Sequence, residues 1–410
     1  MKLQEIIYDW NIRGHAVSPD MPKINVHDET LRDGIQSPSV HDPSIEDKFE
    51  IVRLMDKVGI YSTNVGLPGA GPRAVADSEA LIRLMRDEKM SIKPGCAART
   101  LENDIRPIIE ISERTGVPIE IMTFLGSSPI RMLVETWDEK RLETLTRNAV
   151  RLGAQAGLPV SFVTEDTVRS KPETLKRLFS AAVEEGATRL VLCDTVGHAT
   201  TNGVFNLIHF AHNLLLGMGV RDQIKLDWHG HNDRGFALPN ALYAIEAGAD
   251  RIHGTILGVG ERVGNTPLDL LLVNLKLLGL EARNLEGLAP LVDRVAEACK
   301  WPVPLNYPVF GLDAFRTATG VHAAAVIKAQ RQGDHWLADH IYSGVPASWF
   351  GKDQEIAIGH MSGESNIRYW LKQRDIEASN EVVSAIFQVA KKTSALLTES
   401  EVLEIVGQQP

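Results

Sequence analysis

Eight short segments rich in β-branched and apolar residues recur along the chain, and each is followed by a stretch with helical periodicity. They begin at Ile24 (INVHDET), Gly59 (GIYSTNVG), Ser91 (SIKPGC), Ile119 (IEIMTF), Pro159 (PVSFVTED), Arg189 (RLVLCDT), Ile224 (IKLDWHGHND) and Asp250 (DRIHGTILG), about thirty residues apart. That spacing is the size of one strand plus one helix, and sustained alternation gives parallel strands with helices outside. Eight such units close a TIM (β/α)8 barrel, so an α/β fold is expected with the barrel over residues 23–282 and an N-terminal extension over 1–22. Helix signals fall where that scheme needs them: Pro172 opens KPETLKRLFSAAVEEG and Gly186 follows it, and a helix from Asn240 ends at Gly248. After residue 282 the pattern changes. ARNLEGLAPLVDRVAEACK reads as a helix, WPVPLNYPVFG is rich in Pro and aromatics, and strand alternation does not resume. Four of the seven Trp, Trp301, Trp336, Trp349 and Trp370, lie in this last third. Residues 283–410 are therefore expected to fold as a mainly helical appendage, with helical hairpin material from Asn380 to Val406.

Composition narrows the function. With 43 basic against 53 acidic residues the net charge is −10, and no basic run tracks a phosphate backbone, so no nucleic-acid partner is expected. Cys96, Cys193 and Cys299 are odd in number and widely spaced, which disfavours a disulfide framework and a Cys-based zinc site and suits a reducing, cytoplasmic setting. The N-terminus lacks the apolar core of a signal peptide. The most apolar stretch, Leu268 to Leu280, is too short and interrupted to span a bilayer, so no membrane association is expected.

Chemistry in a TIM barrel sits at the C-terminal ends of its strands. There the sequence places Asp28, Glu29, Thr30, Arg32 and Asp33 after the first strand, and Glu165 and Asp166 after the fifth. Asp194 and Thr195 follow the sixth, His229 and His231 the seventh, and Glu261, Arg262 and Asn265 lie in the loop after the eighth. His229 and His231 are two apart, so on a strand both imidazoles face the barrel axis. With the Asp33 carboxylate they make a mixed nitrogen and oxygen site for a divalent metal, Zn, Mn or Mg, that keeps positions open for substrate oxygens. GVGERVG has its third Gly one place too late for a dinucleotide fingerprint and stands on the last strand, not the first.

The segments ETLRDGIQSP, FVTEDTVRS, DTVG, HGHND and GVGERVGNTPLD together resemble the DRE-TIM metallolyases, specifically the Claisen-condensing branch of 2-isopropylmalate, homocitrate and citramalate synthases. The resemblance spans roughly residues 24 to 370. It implies that Asp33, His229 and His231 bind the metal with Asn265 beside them, and that Arg32 polarises the 2-oxo group. It also implies that Thr195 holds the 2-oxoacid carboxylate and that Glu165 sits at the reacting carbons. FRTATGVHAAAVIKA resembles the family segment whose His, here His322, reaches the active site of the partner protomer, which implies a homodimer whose helical C-terminal subdomains contact the partner. The implied partners are acetyl-CoA and a 2-oxoacid. Making an enolate from a thioester methyl needs a base and charge stabilisation. Glu165 and His322 are both candidates for that base.

Departures from the family bear on the substrate. Homocitrate-forming members carry an Arg four residues before the strand-five Glu, where this chain has Ser161, and NVGLPGAG resembles the isopropylmalate branch. An apolar oxoacid such as 2-oxoisovalerate, and hence leucine biosynthesis, is the expectation. Homocitrate, citramalate and Re-type citrate synthases are the alternatives. Ile35 stands where Glu is usual, Arg131 stands where isopropylmalate synthases usually have His and offers a partner for a substrate carboxylate or CoA phosphate, and VHAAAV is nearer the homocitrate form. The chain stops near residue 410, without the segment resembling a leucine-binding domain, so no leucine inhibition is expected. A hydroxymethylglutaryl-CoA-type lyase would resemble a Gly-rich loop with a Cys after strand eight, and GVGERVGNTP has none. A biotin-dependent carboxyltransferase would need a strand-end Lys, and a non-catalytic metal-binding subunit would not need the full set of polar residues.

Overall fold

The computed structural model describes residues 6–8, 10–12, 24–280 and 284–408. Most of the expected N-terminal extension over 1–22, and the boundary at 282, lie outside the described residues. The chain divides into two compact units, one ending at Pro302 and the other made of the residues from Val303 on together with the described residues 6–8 and 10–12.

The first unit is a closed barrel of eight parallel strands in sequence order. β1 (Asn25–Asp28), β2 (Ser62–Asn64), β3 (Lys93–Arg99), β4 (Glu120–Gly126), β5 (Val160–Glu165), β6 (Arg189–Asp194), β7 (Lys225–Gly230) and β8 (Arg251–Gly254) each coincide with one segment read from the sequence, β3 running three residues and β4 two residues past the end of theirs. β1 pairs with β8 from Asn25 opposite Arg251 to Asp28 opposite Gly254, which closes the ring. The helices are α1 (Ile45–Val58), α2 (Pro72–Asp87), α3 (Glu102–Thr115), α4 (Pro129–Glu135), α5 (Glu139–Gln155), α6 (Pro172–Glu184), α7 (Thr201–Gly217), α8 (Ala237–Glu246), α9 (Leu268–Leu277) and α10 (Leu288–Ala298). The sequence pattern changes after 282, yet the unit runs on through α10. Its stripe of Leu288, Leu291, Val292 and Val295 is fully buried and packs on α1. Helix α8 starts three residues before Asn240, because Pro239 sits in the first turn where no intrahelical N–H bond is lost.

The floor of the barrel is charged. Arg251, fully buried, donates through Nε to Asp227 Oδ2 at 2.7 Å and through Nη1 to Glu120 Oε2 at 2.8 Å. Arg189 donates to the other Asp227 oxygen at 2.7 Å. The Ser161 hydroxyl donates to Glu120 in the same layer.

The second unit is mainly helical: α11 (Gly320–Arg331), α12 (His335–His340), α13 (Glu364–Lys372), α14 (Asn380–Ala390) and α15 (Glu399–Gly407). Its core gathers Ile358, Ile367, Leu371, Val383 and Ile386, with Trp370 against them. It also holds a two-stranded parallel ladder of β9 (Arg316–Thr317) and β10 (Glu355–Ile356), too short for an alternation pattern to reveal. No described helix is long and apolar enough to cross a membrane.

Candidate active site

At the C-terminal mouth of the barrel the strand ends enclose a cavity of about 350 Å³. Asp33 follows β1 in a tight turn whose Gly34 amide bonds back to the Glu29 carbonyl at 3.0 Å. Two strands round the ring from β1, β7 delivers His229, and His231 follows one step beyond it, paired with Asn265. Asp33 Oδ2 lies 3.2 Å from His229 Nε2 and 3.5 Å from His231 Nε2, and the two imidazole nitrogens are 3.4 Å apart. Three donors bound to one ion at 2.0–2.2 Å in tetrahedral geometry are separated by about 3.4 Å, so this triangle fits a divalent cation. Burial depresses the His231 imidazole to about 4, leaving it neutral as a ligand must be. Burial pushes the Asp33 carboxyl up, but Arg32 and the two imidazoles outweigh that and hold it well below the usual range, as an anion.

Asn265 is held beside this triangle by a glycine-dependent loop. Its Nδ2 donates to the Val259 carbonyl at 3.2 Å, and its Oδ1 is buried without a hydrogen-bond partner. Gly264 has φ +93°, and a Cβ there would run into the Gly258 carbonyl oxygen; one at Gly260 would strike Asn265 Nδ2.

The remaining predicted residues divide. Arg32 lines the cavity, 3.8 Å from Asp33, and its Nε and Nη2 both donate to Glu29 Oε2, at 2.7 and 2.6 Å. Glu165 lines the same cavity, and burial raises its carboxyl above the ordinary range although Arg131 and Arg32 pull it down. Thr195 lines it too: its Oγ1 accepts the Asp166 amide at 2.8 Å and its carbonyl accepts Arg262 at 2.6 Å. Arg131 does not line the cavity; it is half exposed on α4, pairing with Glu135 at 3.2 Å. His322 belongs to the second unit, near the start of α11, where it is exposed and its ring lies 4.2 Å from that of Tyr342.

The sequence reading missed the apolar side of the cavity and the two histidines, His253 and His27, that join Glu29 at its floor. Leu67, Met122, Phe124, Val163 and Val191 form an apolar side, and Cys193 lies among them with its thiol pushed well up by burial, hence uncharged. Below lie Glu29 and His253, with His27 behind them. The signal for the apolar side was available, since all of it but Leu67, which follows β2, is the inward-facing alternate residues of β4, β5 and β6.

Comparison with known proteins agrees with this geometry. Residues 23–292 match the HMGL-like family. The chain is 33% identical over 401 residues to homocitrate synthase AksA of Methanopyrus kandleri, covering 94% of this chain and 93% of the relative. It is 30% identical to 2-isopropylmalate synthase of Shouchella clausii (91% of this chain, 70% of the relative) and 30% identical to (R)-citramalate synthase of Aquifex aeolicus (87% and 66%). Among solved structures, hydroxymethylglutaryl-CoA lyase of Bacillus subtilis shares the fold, with TM-score 0.55 at 20% identity, covering 69% of this chain and 96% of that one.

Proposed function

The chain belongs to the HMGL-like family, in its Claisen-condensing branch, and from that premise we propose that it condenses acetyl-CoA with a 2-oxoacid bearing an apolar side chain, releasing CoA and a 2-alkylmalate, as a 2-isopropylmalate synthase does. The observation that carries this reading is the Asp33, His229 and His231 triangle opening, with Arg32, onto a cavity whose far side is apolar.

Asp33, His229 and His231, with Asn265 beside them, would hold the divalent ion. Bound there, it supplies a Lewis acid to the ketone and carboxylate oxygens of the oxoacid. Arg32 is the cation placed to stabilise negative charge growing on the ketone oxygen when the carbon–carbon bond closes, and its charge is permanent at any working pH. The Thr195 hydroxyl, whose oxygen accepts the Asp166 amide, keeps its proton for the oxoacid carboxylate. Glu165, with a raised carboxyl, is placed to take a proton from the acetyl methyl group, and His322, supplied by the partner of a homodimer, is the other candidate. Arg131, whose charge acts on Glu165, suits an anionic part of the thioester. The apolar side excludes water and receives the oxoacid side chain.

A dicarboxylic oxoacid finds less support. Ser161 lies at the barrel floor bonded to Glu120, and the cations of that layer, Arg251 and Arg189, are already paired with Glu120 and Asp227, so neither is free for a second carboxylate. Thiol-assisted lysis finds less support, since no cysteine lies in the loop after β8 and the thiol of Cys193, which lines the cavity, is held uncharged by burial.

The test is a panel of 2-oxoacids with acetyl-CoA and a divalent metal, products being identified by mass. The highest kcat/KM is expected with 2-oxoisovalerate. Preference for 2-oxoglutarate, pyruvate or oxaloacetate would reassign the enzyme to homocitrate, citramalate or citrate formation. CoA release from hydroxymethylglutaryl-CoA alone would make it a lyase.

A further inference from the structure

Beside the first triangle lies a second convergence of metal-ligating atoms. Only these two groups of three or more such residues occur among the described residues. His27 and Glu29 project inward two apart on and just after β1, and His253 projects from the neighbouring β8. Glu29 Oε1 is 3.3 Å from His27 Nε2 and 3.6 Å from His253 Nδ1, and all three residues are at most 1% exposed.

Hydrogen bonding by neutral imidazoles leaves atoms of this group unsatisfied. His27 Nε2 faces Glu29 yet has no hydrogen-bond partner of acceptable alignment, although it is fully buried. His253 stands between two carboxylates, with Nε2 3.2 Å from Asp227 Oδ2 and Nδ1 toward Glu29. A neutral imidazole has one N–H, so it satisfies one of these and turns a lone pair toward the other. A cation between Glu29 Oε1, His27 Nε2 and His253 Nδ1 removes both conflicts. The outer nitrogens are already oriented as ligating imidazoles usually are, His27 Nδ1 by the Ser62 hydroxyl at 2.7 Å and His253 Nε2 by Asp227. Arg32 takes the other Glu29 oxygen, Oε2, and so leaves Oε1 free.

We propose that His27, Glu29 and His253 form a second divalent-cation site, of a composition suited to Zn²⁺, beside the Asp33, His229 and His231 site. Two imidazoles and one carboxylate are a zinc donor set, and Glu29 and His253 line the cavity, which gives the ion a path of entry. The two sites adjoin, since the His229 and His253 rings lie 5.7 Å apart and Arg32 touches both Glu29 and Asp33.

The test counts zinc by mass spectrometry in the untagged full chain, loaded with Zn²⁺ and freed of excess by gel filtration. Two equivalents per chain are expected in the wild type, and one each in Glu29→Gln and His229→Ala. His27→Gln, a milder change, should also hold one if Glu29→Gln fails to fold. One equivalent in the wild type, lost in His229→Ala and kept in His27→Gln, would overturn the second site while leaving the condensing reading intact. No bound zinc would overturn the second site; the first, which Mn²⁺ or Mg²⁺ also suits, is tested by chelation of the active enzyme.

Discussion

Glu165 is the residue on which the proton chemistry turns most sharply. Its carboxyl is raised by burial, so if it takes the methyl proton the acid limb of kcat/KM lies above 4.5, the ordinary glutamate value. Glu165→Gln should then lower kcat by about 10²–10⁴-fold and remove that limb; an unchanged limb would pass the role to another group, His322 first. Legibility at this scale followed period two. His229 and His231 could be read because two imidazoles two apart on a strand share a face. His27 and Glu29 obey the same spacing, on and just after β1, but their third member, His253, is more than two hundred residues away in sequence. Only closure of the barrel brings β8 beside β1 and shows the group.

The strands were the most legible elements, because each is a short β-rich run bounded by turn residues and followed by a helix. Their inward faces were less so. Arg251 and Asp227 sit on strands that read as ordinary barrel segments, and nothing local announces that they meet Glu120 across the floor. That meeting has a measurable cost. Arg251→Leu would leave the buried Glu120 carboxylate without a cation and Asp227 with Arg189 alone, and urea unfolding should show a loss of about 3–5 kcal/mol. The pH dependence has a definite sign. Burial pushes the Glu120 carboxyl up, but Arg251 overrides this and holds it at about 2, below its unfolded 4.5. Its contribution is therefore complete above 4.5 and lost as the pH falls from 4.5 toward about 2. The wild type should lose stability through that window, and Glu120→Gln should lose less there from a lower starting point. The β9 and β10 ladder escaped the sequence because two residues carry no period.

At the scale of the whole molecule the chain is a barrel that carries the polar strand ends and a helical unit that carries His322. Repetition of one structural unit made the barrel legible, whereas the second unit repeats nothing and was readable only as apolar, Trp-rich and helical. The substrate was least legible, since it depends on how inward residues from β4, β5 and β6 combine into one apolar side. The central claim is that a divalent ion on Asp33, His229 and His231 lets a 2-oxoacid accept a carbon nucleophile. CoA release from acetyl-CoA, followed with a thiol reagent before and after chelation and with and without 2-oxoisovalerate, tests it most directly. The account predicts release only when both metal and oxoacid are present, and none in His229→Ala under any condition. Release that persists after chelation, or that proceeds at the same rate without an oxoacid, would contradict it.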